Sequence, residues 1–406
     1  MPGPATFVIA GGGLAAAKAA ETLRGEGFDG RLVLVGRETH LPYERPPLSK
    51  DYLQGAGERD KIFVHDRSWY AEHDVELRLG VEVTGIDPAA HRVTLTGGEQ
   101  LGYDKLLLAT GSEPRRLSIP GGDRPDVLYL RTVDDSEHLR ATLARVGRIA
   151  IIGAGWIGLE VAAAARAAGV EVTVIETASA PLLRVLGPYV AQVFTALHRE
   201  HGVEFVFDAH PTEITDSGVL LADGTRIEAD VVVAGVGAAP DTSLARAAGL
   251  TVDDGVKVGA DLRTSDPDIF AAGDIANAYH PLLERHVRVE HWANALNQPA
   301  TAARAMLGRA DAYENLPYFY TDQYDLGMEY VGHIPPGESP DVVIRGDLDA
   351  REFIAFWLAE DKVLAAMNVN IWDVTDHTQA LIRSRKPVDR AGLADPDVPL
   401  DRLLPS

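Results

Sequence analysis

Ile-Ala-Ile-Ile-Gly-Ala-Gly-Trp-Ile-Gly, residues 149–158, decides the fold. Four apolar residues read as a buried strand, the glycines as a turn, and the Ala-rich run that follows as a helix. Strand, Gly-x-Gly-x-x-Gly and helix in succession form the turn on which a dinucleotide pyrophosphate sits. Gly153 permits the tight turn, Gly155 lets the backbone approach the phosphates, and Gly158 lets the helix lie against the strand. The helix start adds unpaired N–H groups and the positive end of its dipole. The next β-branched strand, Glu171–Ile175, leads into Glu176, about 20 residues beyond the loop, where an acid takes the adenosine ribose hydroxyls. A carboxylate there repels a 2′-phosphate, and Thr177 and Ala178 supply no positive charge. The reading is NADH in preference to NADPH, with Arg184 the one nearby cation that works against it.

The same signature occurs at the start of the chain. Phe-Val-Ile-Ala-Gly-Gly-Gly-Leu-Ala-Ala, residues 7–16, runs into an Ala-rich helix and then the strand Arg31–Val35. Gly11, Gly13 and Ala16 take the three positions of the pattern. The copies are too far apart to serve one βαβ unit, so two dinucleotide folds, and two dinucleotides, are expected. Three apolar runs with small, polar ends accompany them: Leu106 to Ala109-Thr110-Gly111, Val231 to Gly235-Val236-Gly237, and Thr264 to Gly273-Asp274. Each alone is an ordinary strand and turn; their order around the two loops is what carries weight. A strand-rich stretch, roughly residues 75–111, has hairpin punctuation at Gly97–Gly98. From about Pro317 aromatic and alternating segments, such as Phe353–Leu358 and Val363–Asn368, read as a third, α+β domain, and the tail after Pro387 as a surface wrap.

Composition narrows the function. The chain has 38 basic and 60 acidic residues and a net charge of −22, so no nucleic-acid footprint is expected. It has no cysteine, which removes disulfides, thiolate nucleophiles and redox-active cysteine pairs. No His spacing suggests a metal site. No leader pattern precedes Phe7 and no apolar run reaches membrane-spanning length, so no membrane association and a cytoplasmic location are expected.

The two Gly loops, Ala109-Thr110-Gly111 and Gly273-Asp274 together resemble the two-dinucleotide flavoprotein disulfide-reductase superfamily. Within it, Tyr43-Glu44-Arg45-Pro46-Pro47-Leu48-Ser49-Lys50 resembles the oxygenase-coupled ferredoxin reductases. Tyr129 to Thr132, Val289 to Ala295 and Thr321 to Tyr324 match the same group, and the likeness covers essentially the whole chain. It implies an α/β architecture: an FAD domain from residues 1–116 and 243–316, an inserted NAD domain, 117–242, and a C-terminal α+β domain, 317–406.

Carried over by position, the resemblance places Gly11, Gly13, Leu14 and Ala15 at the FAD pyrophosphate. Lys50 and Pro47 fall near the isoalloxazine, Arg45 on the adenine side, Val83 and Arg131 among further FAD contacts, Asp274 on the ribityl chain and Trp292 beside the ring. Trp156 stands where relatives often have Tyr and would cover the flavin until nicotinamide displaces it; Ile157 adjoins it. Glu160 is expected to pair with Lys50 so that both stay charged. Relatives commonly carry an acid where Arg37 stands, so either Glu38 takes the FAD ribose or Arg37 packs on the adenine.

The implied cycle runs from NADH through flavin to a 2Fe–2S ferredoxin that feeds a haem-thiolate monooxygenase or a Rieske dioxygenase. The enzyme would be a monomer or homodimer. Without cysteine, glutathione-reductase and NADH-peroxidase chemistry is excluded. The alternatives are a rubredoxin or monodehydroascorbate-type reductase, which differ in the acceptor, and a redox-signalling flavoprotein like apoptosis-inducing factor. Candidate cations for ferredoxin docking are Arg304, Arg309 and the cluster Arg383, Arg385 and Lys386.

Overall fold

The computed structural model describes residues 4–309 and 311–404. Packing divides the chain into two compact units. One comprises the chain to Glu44, Arg59–Glu113 and Ala239–Pro317; the other comprises Arg45–Glu58, Pro114–Ala238 and the chain from Tyr318 onward.

The first unit is built on a parallel sheet ordered Val75–Leu79, Arg31–Gly36, Thr6–Ala10, Lys105–Leu108, Ile269–Ala271. Val8, Ile9 and Ala10 are fully buried, as continuous apolar runs must be in a sheet covered on both faces. The helix Leu14–Gly25 lays Ala16, Ala19, Ala20 and Leu23 into the core, and small side chains let it come close. It packs against the helix Trp292–Met306, whose facing residues include Ala302 and Ala303. The expected hairpin is present: Arg92–Leu95 pairs antiparallel with Gln100–Gly102, and Gly97 and Gly98 both take positive φ.

The second unit repeats the architecture. Its parallel sheet is ordered Val203–Val206, Glu171–Ile175, Arg148–Ile152, Val231–Ala234, Val127–Leu128. The strand carrying each Gly loop is central in both sheets, flanked by the two strands that follow it on one side and by the small-residue strand on the other. This is the doubly wound arrangement in which a dinucleotide lies across the carboxyl ends of the strands.

The same unit contains an antiparallel sheet ordered Tyr318–Gln323, Leu326–Gly332, Lys362–Val369, Glu352–Ala359, Asp341–Asp347, with the helix Thr375–Ser384 beside it. Alternation was expected for Phe353–Leu358, but all six residues are buried. Phe353, Ala355 and Trp357 face the unit's main apolar core, and the sheet is covered elsewhere by the C-terminal helices. The tail folds back on the edge strand, where Arg345 donates to the carbonyls of Asp395, Pro396 and Val398 at 2.6–3.1 Å. The stretch Arg45–Glu58 belongs with this unit because Leu53 enters its core and Ser136 Oγ donates to the Leu48 carbonyl at 2.8 Å.

Candidate functional site

Three groups of side chains carry the candidate chemistry, one in the first unit and two in the second. In the first unit Gly11 has φ +136°, and a Cβ there would lie 2.1 Å from the Ala109 carbonyl oxygen. The loop and the Ala109-Thr110-Gly111 turn are thus in backbone contact, which only glycine permits. Gly273, at φ +80°, brings its backbone against Ala15. Asp274 is buried and accepts from Ser112 Oγ at 2.9 Å, a partner that sequence reasoning missed. The Gly273 N–H donates to Gln298 Oε1 at 2.9 Å, also unforeseen.

Whether a pyrophosphate fits can be judged from the helix start. Gly13 caps Leu14–Gly25 with no side-chain hydrogen bond and no acid in the first turn, and a Cβ on Gly13 would meet nothing within 4 Å. The loop therefore offers free N–H groups and open space, which is what an anion requires. Leu14 and Ala15 are buried behind it. Arg37 pairs with Glu113, whose hydrogen bond raises the guanidinium's already high affinity for its proton. Glu38 accepts from the Tyr43 hydroxyl at 2.5 Å. The two candidates for the ribose contact thus have separate partners. Val83 is a buried strand residue of the core, and Trp292 is the half-buried first residue of its helix.

The second unit's loop is built alike. A Cβ on Gly153 would lie 2.5 Å from the Gly235 carbonyl oxygen, and one on Gly158 would lie 2.2 Å from that of Gly153. Gly155 again caps its helix, Trp156–Ala167, with no side-chain bond and no first-turn acid, and its Cβ direction is open. Glu176 sits where its spacing predicts: Oε2 accepts from Ala154 N–H at 2.8 Å and Oε1 from Ala178 N–H at 2.9 Å. Two backbone donors thus hold the carboxylate at the loop. Arg184 is exposed. Val236 and Gly237 follow the strand, and Gly237 accepts from Arg115 N–H at 2.9 Å. Ile157 is 44% exposed, whereas Trp156 is half-buried and meets Phe194 and Phe319 edge-on at 5.5 and 5.1 Å. Two aromatic neighbours therefore set the indole's orientation.

The third group centres on Glu160, 4% exposed on that same helix. Lys50 Nζ lies 2.5 Å from Glu160 Oε1, Thr321 Oγ1 donates to the same oxygen at 2.5 Å, and Ser49 Oγ donates to Oε2. The short helix Pro46–Ser49, begun by Pro46 and Pro47, delivers Ser49 and Lys50. Arg45, at its start, donates to the Arg131 carbonyl. Lys50 was expected against Glu160; Ser49 and Thr321 were not, although both lie in the quoted motifs. The ammonium also lies 5.7 Å from the Tyr320 ring centroid. Of the proposed docking cations, Arg304 pairs with Glu26 at 3.0 Å and Arg309 pairs with the same carboxylate. Glu26 thus partly neutralises both.

Known proteins resemble this chain over most of its length. Residues 5–299 match the pyridine nucleotide-disulphide oxidoreductase family, and 318–404 match its reductase C-terminal domain. The chain belongs to the pyridine nucleotide-disulphide oxidoreductase family. Within the family, the ferredoxin–NAD(+) reductase component of the anthranilate 1,2-dioxygenase system of Burkholderia cepacia is 43% identical over 403 residues, 98% of this chain and 99% of that protein. Putidaredoxin reductase of Pseudomonas putida is 38% identical over 407 residues, 98% of this chain and 96% of that protein. The crystal structure of the covalent putidaredoxin reductase–putidaredoxin complex matches with a TM-score of 0.94 at 38% identity, covering 99% of this chain and 98% of that one. As a pyridine nucleotide-disulphide oxidoreductase this chain is a flavin enzyme that works with FAD and NAD(H). It departs from the family's name in having no cysteine to form the disulphide.

Proposed function

We propose that this chain is a cytoplasmic NADH-dependent reductase that delivers electrons to a 2Fe–2S ferredoxin serving a haem-thiolate or Rieske oxygenase. The observation that carries the reading is two uncapped Gly-loop helix starts in a chain with no cysteine. Electrons have a dinucleotide to enter by and no dithiol to leave by, which directs them to an external acceptor, and the similar ferredoxin–NAD(+) reductases favour a ferredoxin in that place. FAD, which Gly11, Gly13 and the start of Leu14–Gly25 would hold, would supply the chemistry that converts a two-electron donor into single-electron delivery.

The chain's own residues bind and orient. In this reading residues 1–116 and 243–316 hold FAD, 117–242 hold NADH, and 317–406 complete the enzyme. Gly11, Gly13 and the start of Leu14–Gly25 take one pyrophosphate; Gly153, Gly155 and the start of Trp156–Ala167 take the other. Glu176, fixed by two backbone donors, accepts from the adenosine ribose and turns away a 2′-phosphate. Lys50, held by Glu160, carries a fixed positive charge, and its position matches one that lies near the isoalloxazine in the family it resembles.

NADH-driven cytochrome c reduction by the purified protein, with and without a 2Fe–2S ferredoxin from the same source, tests this. Large ferredoxin-dependent stimulation is expected. Flavin reduction by NADH without stimulation would keep the flavoenzyme and direct the search to rubredoxin, quinone or ascorbyl-radical acceptors.

A further inference from the structure

The Glu160 cluster continues into the interior. Gln323 Nε2 lies 3.2 Å from Thr321 Oγ1, and Gln323 Oε1 lies 2.8 Å from His198 Nε2. Thr321, Gln323 and His198 are each 0–1% exposed, on the edge strand Tyr318–Gln323 and the helix Leu183–Glu200. A chain of side-chain hydrogen bonds thus runs Lys50, Glu160, Thr321, Gln323, His198, through surroundings that include Phe194, Phe205 and the Tyr324 ring.

Its polarity is forced. Thr321 donates to Glu160 and has a single hydroxyl hydrogen, so that hydrogen is spent there. Thr321 Oγ1 then has only lone pairs for Gln323, so the amide nitrogen faces Thr321 and the amide oxygen faces His198. That oxygen needs a donor, so His198 carries its proton on Nε2. The His198 Nδ1 is buried with no hydrogen-bond partner, and a proton there would be an unpaired donor in the core. Burial also keeps the ring neutral, lowering its pKa to about 4. Were the proton on Nδ1, Gln323 would turn over, its oxygen would face Thr321, and Thr321 would donate to it and leave Glu160.

We propose that His198 is a positioning residue for Lys50: its Nε2–H, acting through the hydrogen-bond directions of Gln323 and Thr321, fixes Glu160 as the fully directed partner of the Lys50 ammonium. The proposal rests on the reading that Lys50 serves the flavin. A buried polar chain locks its end group in a single geometry when its donors are satisfied; here the one group left over is the Nδ1 lone pair of His198, at the far end from Lys50. Here the end group is the Glu160 carboxylate that holds the Lys50 ammonium.

Two measurements test it on the FAD-loaded protein. Nitrogen-15 NMR of labelled wild type reads the His198 tautomer directly; Nε2–H is expected, and Nδ1–H overturns the relay whatever the enzyme's activity. Stopped-flow flavin bleaching by NADH then compares wild type, His198→Met, which has no donor, and His198→Gln, whose amide can donate at the Nε2 position. His198→Met should be about fivefold slower, the worth of one lost hydrogen bond, and His198→Gln should restore most of the rate. Equal rates in the two variants overturn the proposal. Should His198→Met not fold, Thr321→Val removes the relay one step nearer Glu160 and is expected to slow bleaching to a similar degree; an unchanged rate counts against the relay. Wild-type flavin that NADH does not bleach would instead sink the reductase reading, leaving the tautomer result to stand by itself.

Discussion

Lys50 Nζ lies 2.5 Å from Glu160 Oε1 although 110 residues separate them, and both side chains are largely withdrawn from water, at 15% and 4% exposure. Attraction in such a setting only offsets the loss of hydration, so the pair adds little net stability, whereas an orphaned member is costly. Lys50→Met or Glu160→Gln alone should therefore destabilise by about 3 kcal/mol, and the double variant by clearly less than the sum. Urea unfolding of the three proteins checks this. Additive losses would mean that the two charges do not depend on each other. Lys50→Met should also slow flavin reduction.

Glu176 supports a prediction about coenzyme choice. Its carboxylate is held at the loop by the Ala154 and Ala178 N–H groups, while Arg184 nearby is exposed. Glu176→Ser removes the ribose acceptor and the repulsion of a 2′-phosphate together. The kcat/KM for NADH should fall roughly ten- to hundredfold, as expected for losing hydrogen bonds to a charged group, while that for NADPH rises. Parallel steady-state assays with both coenzymes decide it. An unchanged ratio would show that Glu176 braces the loop and does not read the ribose.

What the sequence makes legible, and what it does not, follows from how locally each feature is specified. Gly158 can be read because it answers a backbone demand within its own βαβ unit, where a Cβ would collide with the Gly153 carbonyl; Gly11 and Gly153 can be read because the same local pattern fixes them, although the carbonyls a Cβ would meet there, those of Ala109 and Gly235, come from a strand end far along the chain. Glu176 can be read because strand and helix lengths hold it at a fixed interval from the loop. Glu160 was matched to Lys50 through the family likeness, since nothing local connects residues 50 and 160. Ser49, Thr321, Gln323 and His198 are invisible to such reasoning: their meeting depends on how a short helix, a long helix and an edge strand pack, which no periodicity encodes. The same holds for Trp156, whose orientation is set by Phe194 and Phe319, and for Arg45–Glu58, grouped by what it packs against.

Glycines of the second loop separate folding from binding. Gly158→Ala places a methyl group 2.2 Å from the Gly153 carbonyl oxygen, so strand and helix must part; a loss of about 1–3 kcal/mol is expected. Gly155→Ala meets nothing within 4 Å and has φ −80°, which any residue adopts. It should melt as wild type does yet bind NADH much more weakly, because its methyl group occupies the side from which the pyrophosphate approaches. Thermal melts and NADH titrations of both variants test the pair. Full NADH affinity in Gly155→Ala would place the dinucleotide elsewhere.

Burial of His198 makes stability depend on pH in a definite direction. Its folded-state pKa is lowered to about 4 from the ordinary 6.5, first by desolvation, with His201 also opposing the charge and the Gln323 hydrogen bond working the other way. Between those values the unfolded chain holds the proton and the folded one does not, so folding releases it. The neutral ring's contribution is fully present above pH 6.5, declines as pH falls toward 4, and amounts to roughly 3 kcal/mol across that window. Carboxylates elsewhere also titrate there, so the signal is a difference. His198→Gln, which has nothing to protonate, should be less stable than wild type at pH 7.5 and lose less on acidification, by close to one proton per molecule in the slope of unfolding free energy against pH. Urea unfolding at half-unit steps from pH 7.5 to 4 measures it. Parallel slopes would mean that His198 titrates alike in the folded and unfolded chains, contrary to its burial among Gln323, Phe205 and Tyr324.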